Sequence, residues 1–316
     1  MTSNVKLFHG DCLTVMKNFP DKSVDMVLCD LPYGTTRNKW DSPIPLDQLW
    51  EAYERIIKDN GAIVLFGQTP FDKVLGASNL NLLKYEWIWD KKLGTGHLNA
   101  KKMPLKRHEN ILVFYKALPT YNPQFRKGQP FNKGFVHGNS SNYGKQVLVP
   151  NKNETGERYP NSILEFSNAN RNNRLHPTQK PVEILEYLIK TYTQEGEVIL
   201  DNAMGSGSTG IAAINTGRNF IGIELDNQYF QTAQGRIVEG LRKVTTTVSV
   251  SPNNPTPNDP PSEVSPIDHP FSSKEYHPVS SPYSGEELPQ DPLHQILNLN
   301  PIPDPAASEY LPENDI

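Results

Sequence analysis

Apolar residues along this chain fall into short runs separated by stretches with helical spacing. Val24–Cys29 is apolar at most positions, with Asp25 its one charge, and Ala62–Phe66 is continuous, as expected of strands buried on both faces. Val5–Phe8, Tyr85–Trp89, Ile111–Tyr115, Ser162–Phe166, Val198–Leu200 and Phe220–Ile223 are shorter strand candidates. Leu46, Leu49, Trp50, Tyr53, Ile56 and Ile57 recur on one helix face, which predicts a helix over 46–57 closed by Gly61. Helices are also predicted over Asp11–Asn18, Phe71–Leu83, Val182–Tyr192, Ser208–Asn215 and Gln228–Leu241. Alternation of short strands with helices predicts an α/β fold with a mostly parallel central sheet.

Two segments break the pattern. Residues 117–162 are rich in Asn, Gly, Pro and Lys, with Tyr121, Phe125, Phe131, Phe135 and Tyr143 scattered among them and no clear period, so they read as an insertion on the scaffold. Residues 244–316 hold 15 of the 28 prolines, and eleven acids against the single Lys274. With so few large apolar residues this tail is expected to be mostly disordered. Subtracting its −10 from the chain's −4 leaves +6 for residues 1–243, a mildly basic folded part that permits a nucleic-acid partner. No apolar run approaches the length of a membrane span, and Cys12 and Cys29 form neither a disulfide framework nor a metal cage. No membrane, no metal and a reducing cytoplasm are the expectations.

The candidate chemistry sits at strand ends. Asp30-Leu31-Pro32-Tyr33 follows Val24–Cys29 and so falls on the carboxyl edge of the sheet, where α/β folds bind ligands. Tyr33 offers a stacking face, Asp30 a charged acceptor and Pro32 a stiff turn, a set suited to a flat ring bearing an amino group. Downstream, Val198-Ile-Leu-Asp201 runs into Asn202-Ala203-Met204-Gly205-Ser206-Gly207-Ser-Thr209-Gly210, and a second strand ends at Glu224. Glycines let the backbone approach a ligand, and an acid after the next strand suits a ribose diol. Gly205, Gly207 and Gly210 also satisfy a dinucleotide-binding pattern. Asp201 ahead of the turn would repel a pyrophosphate but suits a cationic amino group. An adenosine carrying an α-amino acid and a sulfonium, S-adenosyl-L-methionine, meets these demands.

Asp30-Leu-Pro-Tyr33, His176-Pro-Thr-Gln-Lys180-Pro181 and Asp201-Asn-Ala-Met-Gly205-Ser-Gly207, in this order, closely resemble the motifs of the β group of amino DNA methyltransferases, and Gly10-Asp11-Cys12 resembles that family's adenine-contacting motif. The resemblance runs from about residue 5 to 242. It departs at Leu31, where the family usually has proline, and at Asn202-Ala203, where it usually has Pro-Phe. It implies a Rossmann-like S-adenosylmethionine-dependent methyltransferase fold over residues 1–243, with 117–162 as target-recognition insertion. It implies that Asp30, Leu31, Pro32 and Tyr33 are catalytic, and that Asp11, Cys12, Lys180, Asp201, Ala203, Met204, Gly205, Ser206, Gly207, Thr209 and Glu224 hold the cofactor. Asp11 could equally cap the first helix, and Lys180 could be an ordinary lysine ahead of a helix opened by Pro181. The acid at position 30 implies adenine N6 as target. N4 of cytosine, RNA or protein methylation, and a silent DNA-binding protein on the same scaffold are the alternatives. The partner expected is double-stranded DNA, with a restriction endonuclease and a second copy of the chain as further candidates. Lys101, Lys102, Lys106 and Arg107, within a basic 91–108 segment that also holds Lys91 and Lys92, and Arg126 and Lys127 in the insertion are the candidate phosphate and base contacts.

Overall fold

The computed structural model describes residues 3–34, 41–136, 149–168 and 179–249. His176, Tyr143 and the tail beyond residue 249 lie outside the described residues. In chain order the elements are β1 (Val5–His9), α1 (Cys12–Met16), β2 (Val24–Cys29), α2 (Leu46–Ile56), β3 (Ile57–Gly67), α3 (Phe71–Ser78), β4 (Leu83–Thr95), β5 (Lys106–Phe114), β6 (Arg126–Lys127), β7 (Phe131–Val136), β8 (Val149–Asn153), β9 (Glu157–Arg158), β10 (Ile163–Glu165), α4 (Val182–Tyr192), β11 (Val198–Asp201), α5 (Ser208–Asn215), β12 (Asn219–Glu224) and α6 (Asn227–Ser249). Eight strands form one sheet in the order β1-β12-β11-β2-β3-β5-β4-β10. All neighbours in it are parallel except the two that involve β5.

Residue parity divides the core between the sheet's two faces. Met26 and Leu28 on β2, Ala62, Val64 and Phe66 on β3, and Ile111 and Val113 on β5 pack with Ile184, Leu188, Ala212 and Ile237 of α4, α5 and α6. Their neighbours Val27, Cys29, Ile63, Leu65, Leu112 and Phe114 pack with Val15, Leu49, Tyr53 and Leu75 of α1, α2 and α3. The result is a three-layer α/β/α sandwich. Packing holds the helices more than propensity does: in α4, Ile184, Leu185, Leu188 and Ile189 are at most 2% exposed. Burying one such side chain contributes about 1.5–3 kcal/mol, against tenths for helix propensity. Asp25, the one acid in β2, accepts Lys58 at 2.6 Å and the Val198 N–H at 2.9 Å, tying β2 to the starts of β3 and β11.

Several predicted boundaries shift. Ile57 leaves α2 in extended conformation and pairs with Val24, so Gly61 lies within β3 and does not close the helix. Asp11 caps α1, which stops at Met16. The helix after Phe71 ends at Ser78. β4 and β5 extend through polar residues to Thr95 and from Lys106, making a long hairpin of what read as two strands and a loop. The insertion has local order among its described residues: β6 pairs with β9, and β7 with β8. α6 continues past residue 243 through Ser249, so the first six residues of the predicted tail are helical.

Candidate active site

β11 and β2 are parallel neighbours, so Asp201 and Asp30, 171 residues apart in the chain, emerge side by side at one sheet edge. Both carboxylate oxygens of Asp30 are engaged. The Tyr33 hydroxyl donates to Oδ1 at 2.6 Å, and the Lys180 ammonium donates to Oδ2. Burial pushes the Asp30 carboxyl above its ordinary range, and Lys180 only partly counters it. Burial, then the Asp30 charge, pushes the Tyr33 phenol well up, so it stays a donor. The Tyr33 ring stacks on Phe71 with centroids 4.9 Å apart and planes 23° from parallel. Leu31 turns inward, 3% exposed, and joins the α1–α3 side of the core. Its apolar side chain anchors the loop from below.

The second loop is held from every side. Asp201 accepts the Thr209 hydroxyl at 2.6 Å and the Ala203 N–H at 3.2 Å, with the Cys29 thiol beside it. Burial lifts its carboxyl to about 6. Glu224 accepts the Gly205 N–H on one oxygen and the Asp226 N–H on the other, both at 2.8 Å. Each oxygen keeps a lone pair for a ligand hydroxyl. Met204 is buried, and its sulfur fills the place a side chain on Gly222 would take, 2.3 Å from that Cβ position. Arg236 donates to the Ser206 carbonyl and, at 3.0 Å, to its hydroxyl.

One cavity of about 560 Å³ joins the two loops, within the range of ligand sites. All four residues of the tetrapeptide line it, as do Asp11, Cys12, Lys180, Asp201, Ala203, Met204, Gly205, Ser206, Thr209 and Glu224. Gly207 does not. It opens α5 with φ 78°, and a side chain there would meet Ala233 of α6 at 3.0 Å, so the position serves the turn. Thr209 acts on Asp201. Asp11 spends one oxygen capping α1 through Thr14 at 2.8 Å, and Cys12 accepts the Asn202 amide at 3.5 Å.

Lys180 lines the cavity, and its ammonium lies between two carboxylates, Asp30 and Glu109, 3.3 Å from Glu109 Oε2. Lys91, read from sequence among the basic loop residues, points inward at 4% exposure and donates to Glu109 Oε1 at 3.1 Å. Burial opposes charge on both Glu109 and Lys180. The two lysines nevertheless hold Glu109 below its usual range, and the two carboxylates hold Lys180 above its own. Glu109 was missed because nothing local marks it. It is one acid on a strand whose antiparallel direction brings its start to the same edge as the ends of β2 and β11.

The candidate DNA contacts all lie outside the cavity. Lys101, Lys102, Lys106, Arg107, Arg126 and Lys127 are exposed. Arg107 is clamped by Asp90 through two bonds of 2.8 Å, Lys106 reaches Gln68 at 3.2 Å, and Arg126 bonds Asn161 at 2.8 Å.

The N6/N4 methyltransferase family (DNA methylase) matches residues 24–235. The chain is 27% identical over 251 residues to the DNA adenine methyltransferase YhdJ of Escherichia coli K12, covering 73% of this chain and 82% of the relative. It is 26% identical over 254 residues to the type II methyltransferase M.HpaI of Haemophilus parainfluenzae, covering 73% and 74%. Among solved structures, M1.HpyAVI in complex with SAM matches at a TM-score of 0.51 and 26% identity over 73% of this chain and 99% of its own. The cytosine-N4-specific PvuII DNA methyltransferase matches at 0.55 and 16% over 78% and 94%, and at that identity it speaks for the fold alone. The family's cofactor fits the residues present: two buried carboxylates suit an ammonium and a diol, and the Gly205 turn brings backbone to the cavity wall. No helix among the described residues is long and apolar enough to cross a membrane. With this match over most of the chain, the sandwich fold and a single cavity shared by both loops, the chain belongs to the N6/N4 DNA methylases, which methylate DNA with S-adenosylmethionine.

Proposed function

We propose that the chain methylates the N6 amino group of adenine in double-stranded DNA, with the base turned out of the duplex into the cavity. The observation that carries this reading is the shared cavity: the Asp30 carboxylate and the Asp201–Gly205 loop face one space. S-adenosylmethionine supplies the methyl group as a sulfonium electrophile. Asp201 holds its ammonium and Glu224 its ribose hydroxyls. The adenine amine is a weak nucleophile because its lone pair is delocalised into the ring. Asp30 and the backbone carbonyl at Leu31 or Pro32 accept its hydrogens, direct the lone pair, and stabilise the charge that develops on nitrogen. Tyr33 stacks on the base and holds Asp30 in place. Asp30, in the position where cytosine enzymes more often carry serine, supports adenine as the target. The insertion at 117–162 and the basic tip of the β4–β5 hairpin take the duplex. The relatives named type II methyltransferases support a restriction-modification setting with a cognate endonuclease.

The test uses unmethylated genomic DNA, labelled S-adenosylmethionine and identification of the modified nucleoside. N6-methyladenine is expected; N4-methylcytosine would overturn the choice of base, and no transfer to DNA the whole reading. Asp30→Ala is expected to lower kcat at least about hundredfold while cofactor affinity is kept.

A further inference from the structure

Four charged side chains run from the catalytic loop along the sheet edge: Asp30, Lys180, Glu109 and Lys91. Lys180 is the shared member, 7% exposed, with the Phe66 ring 5.1 Å from its Nζ. The two oxygens of Glu109 differ. Oε1 accepts Lys91, whereas Oε2 is buried, faces Lys180 at 3.3 Å, and makes no aligned hydrogen bond among the described residues. A buried carboxylate oxygen whose only charged contact is poorly aligned recovers less than a full hydrogen bond. Here the oxygen is already ion-paired with the Lys180 ammonium, whose shorter contact is to Asp30.

In this arrangement Asp30 already accepts Tyr33 on one oxygen and Lys180 on the other, so an arriving base amine shares an oxygen with one of them. A buried ammonium does not leave a carboxylate unless a second one receives it. Resting on the reading of Asp30 as acceptor of the target amine, we infer that Glu109 is a positioning residue that takes over the Lys180 ammonium when the amine arrives at Asp30. The handover has two effects. It frees Asp30 Oδ2, and it withdraws the counter-charge that lowers the proton affinity of Asp30. The second matters after transfer, when the methylated nitrogen carries a positive charge. Its N–H proton passes to the Asp30 carboxylate, the bonding pair stays on nitrogen, and the product amine is neutral. Lys180 stays charged throughout, opposite one carboxylate or the other.

The titratable groups facing Asp30 are Tyr33 on its own loop, Lys180 ahead of α4, Glu109 on β5, and Cys29 and Asp201 at the ends of β2 and β11. Glu109 raises the proton affinity of Asp30 and Lys180 lowers it. Glu109→Gln therefore leaves Lys180 on Asp30 and removes a negative neighbour, and both changes favour the Asp30 carboxylate. In the full-length protein, with unmethylated genomic DNA and labelled S-adenosylmethionine, this variant is expected to lose about tenfold or more in kcat. Its acid limb of kcat should move to lower pH, and its Kd for S-adenosylmethionine should stay within about twofold of the parent. Glu109→Asp keeps the charge and should restore the limb and part of the rate. Because Glu109→Gln deprives buried Lys91 of its partner, the double variant Lys91→Met, Glu109→Gln keeps the local charge balanced and should show the same displaced limb. An unmoved limb in both, or a loss confined to cofactor affinity, overturns the inference. Asp30→Asn run in parallel separates the two levels. Full activity there defeats the reading of Asp30 itself; an inactive Asp30→Asn beside an unaltered Glu109→Gln defeats only the handover.

Discussion

Asp201 is the acid whose charge state most directly tests cofactor binding. Burial lifts its carboxyl to about 6 from an ordinary 3.8, so ionising it works against the folded state as pH rises through that window. A cationic ammonium placed against it offsets that cost only when the carboxyl is ionised. Affinity for S-adenosylmethionine should therefore weaken as pH falls below about 6, by up to about tenfold per unit. Titration calorimetry between pH 5 and 8 checks this. Asp201→Asn should bind more weakly at pH 8 and lose the step, which separates Asp201 from Glu224, also raised by burial. At this scale the motif residues were legible because they are local strings: ten of the eleven cofactor candidates line the cavity, with Gly207 behind it. Leu31 was not explicable from the string, since its reason is the core beneath the loop. Sequence placed Lys91 in a basic loop and Lys180 against the cofactor; their pairing with Glu109 was not legible, because that acid is remote in sequence from the motifs.

Among elements, the β4–β5 hairpin shows what periodicity cannot see. Its inner half is apolar and was predicted as two strands, but Asp90–Thr95 and 106–110 are mostly polar and carry no alternation. Pairing continues through them because cross-strand contacts replace burial: Asp90 faces His108 in register, and Arg107 clamps Asp90. The hairpin thus places inward groups, Lys91 and Glu109, on the same element as an exposed tip carrying Lys101 and Lys102. The tip lies beyond Thr95, itself on the cavity wall. Each lysine that meets a phosphate displaces about one counterion. Replacing Lys101 and Lys102 by alanine should lower the slope of log affinity against log salt by about 2 and weaken binding to all sequences alike. Arg107→Ala should change the slope little, because Asp90 already neutralises that guanidinium. Fluorescence anisotropy on duplex DNA at several salt concentrations distinguishes them, and equal slopes for parent and double variant would remove the hairpin tip from the DNA path.

For the molecule as a whole, alternation predicted the α/β class, but the strand order that sets Asp30 beside Asp201 is a long-range outcome no window of sequence contains. Charge, in contrast, is legible from sequence alone. The part through residue 249 carries +6 and residues 250–316 carry −10, since 244–249 hold no charged side chain. DNA attracts the first and repels the second, and the opposite charges give the acidic segment a Coulombic attraction to the basic hairpin and insertion that DNA must outcompete. Removing residues 250–316 should therefore tighten binding to duplex DNA, by about fivefold near 50 mM salt. That gain should disappear by about 0.5 M, where the Debye length falls to a few ångströms. The rate at saturating DNA should not change, because the cavity is built by described residues from Gly10 to Tyr229. Anisotropy titrations of both forms across this salt range, with kcat at saturating DNA, decide the point. Weaker binding by the shortened chain would mean that the segment contributes contacts of its own, and the net-charge argument would fail.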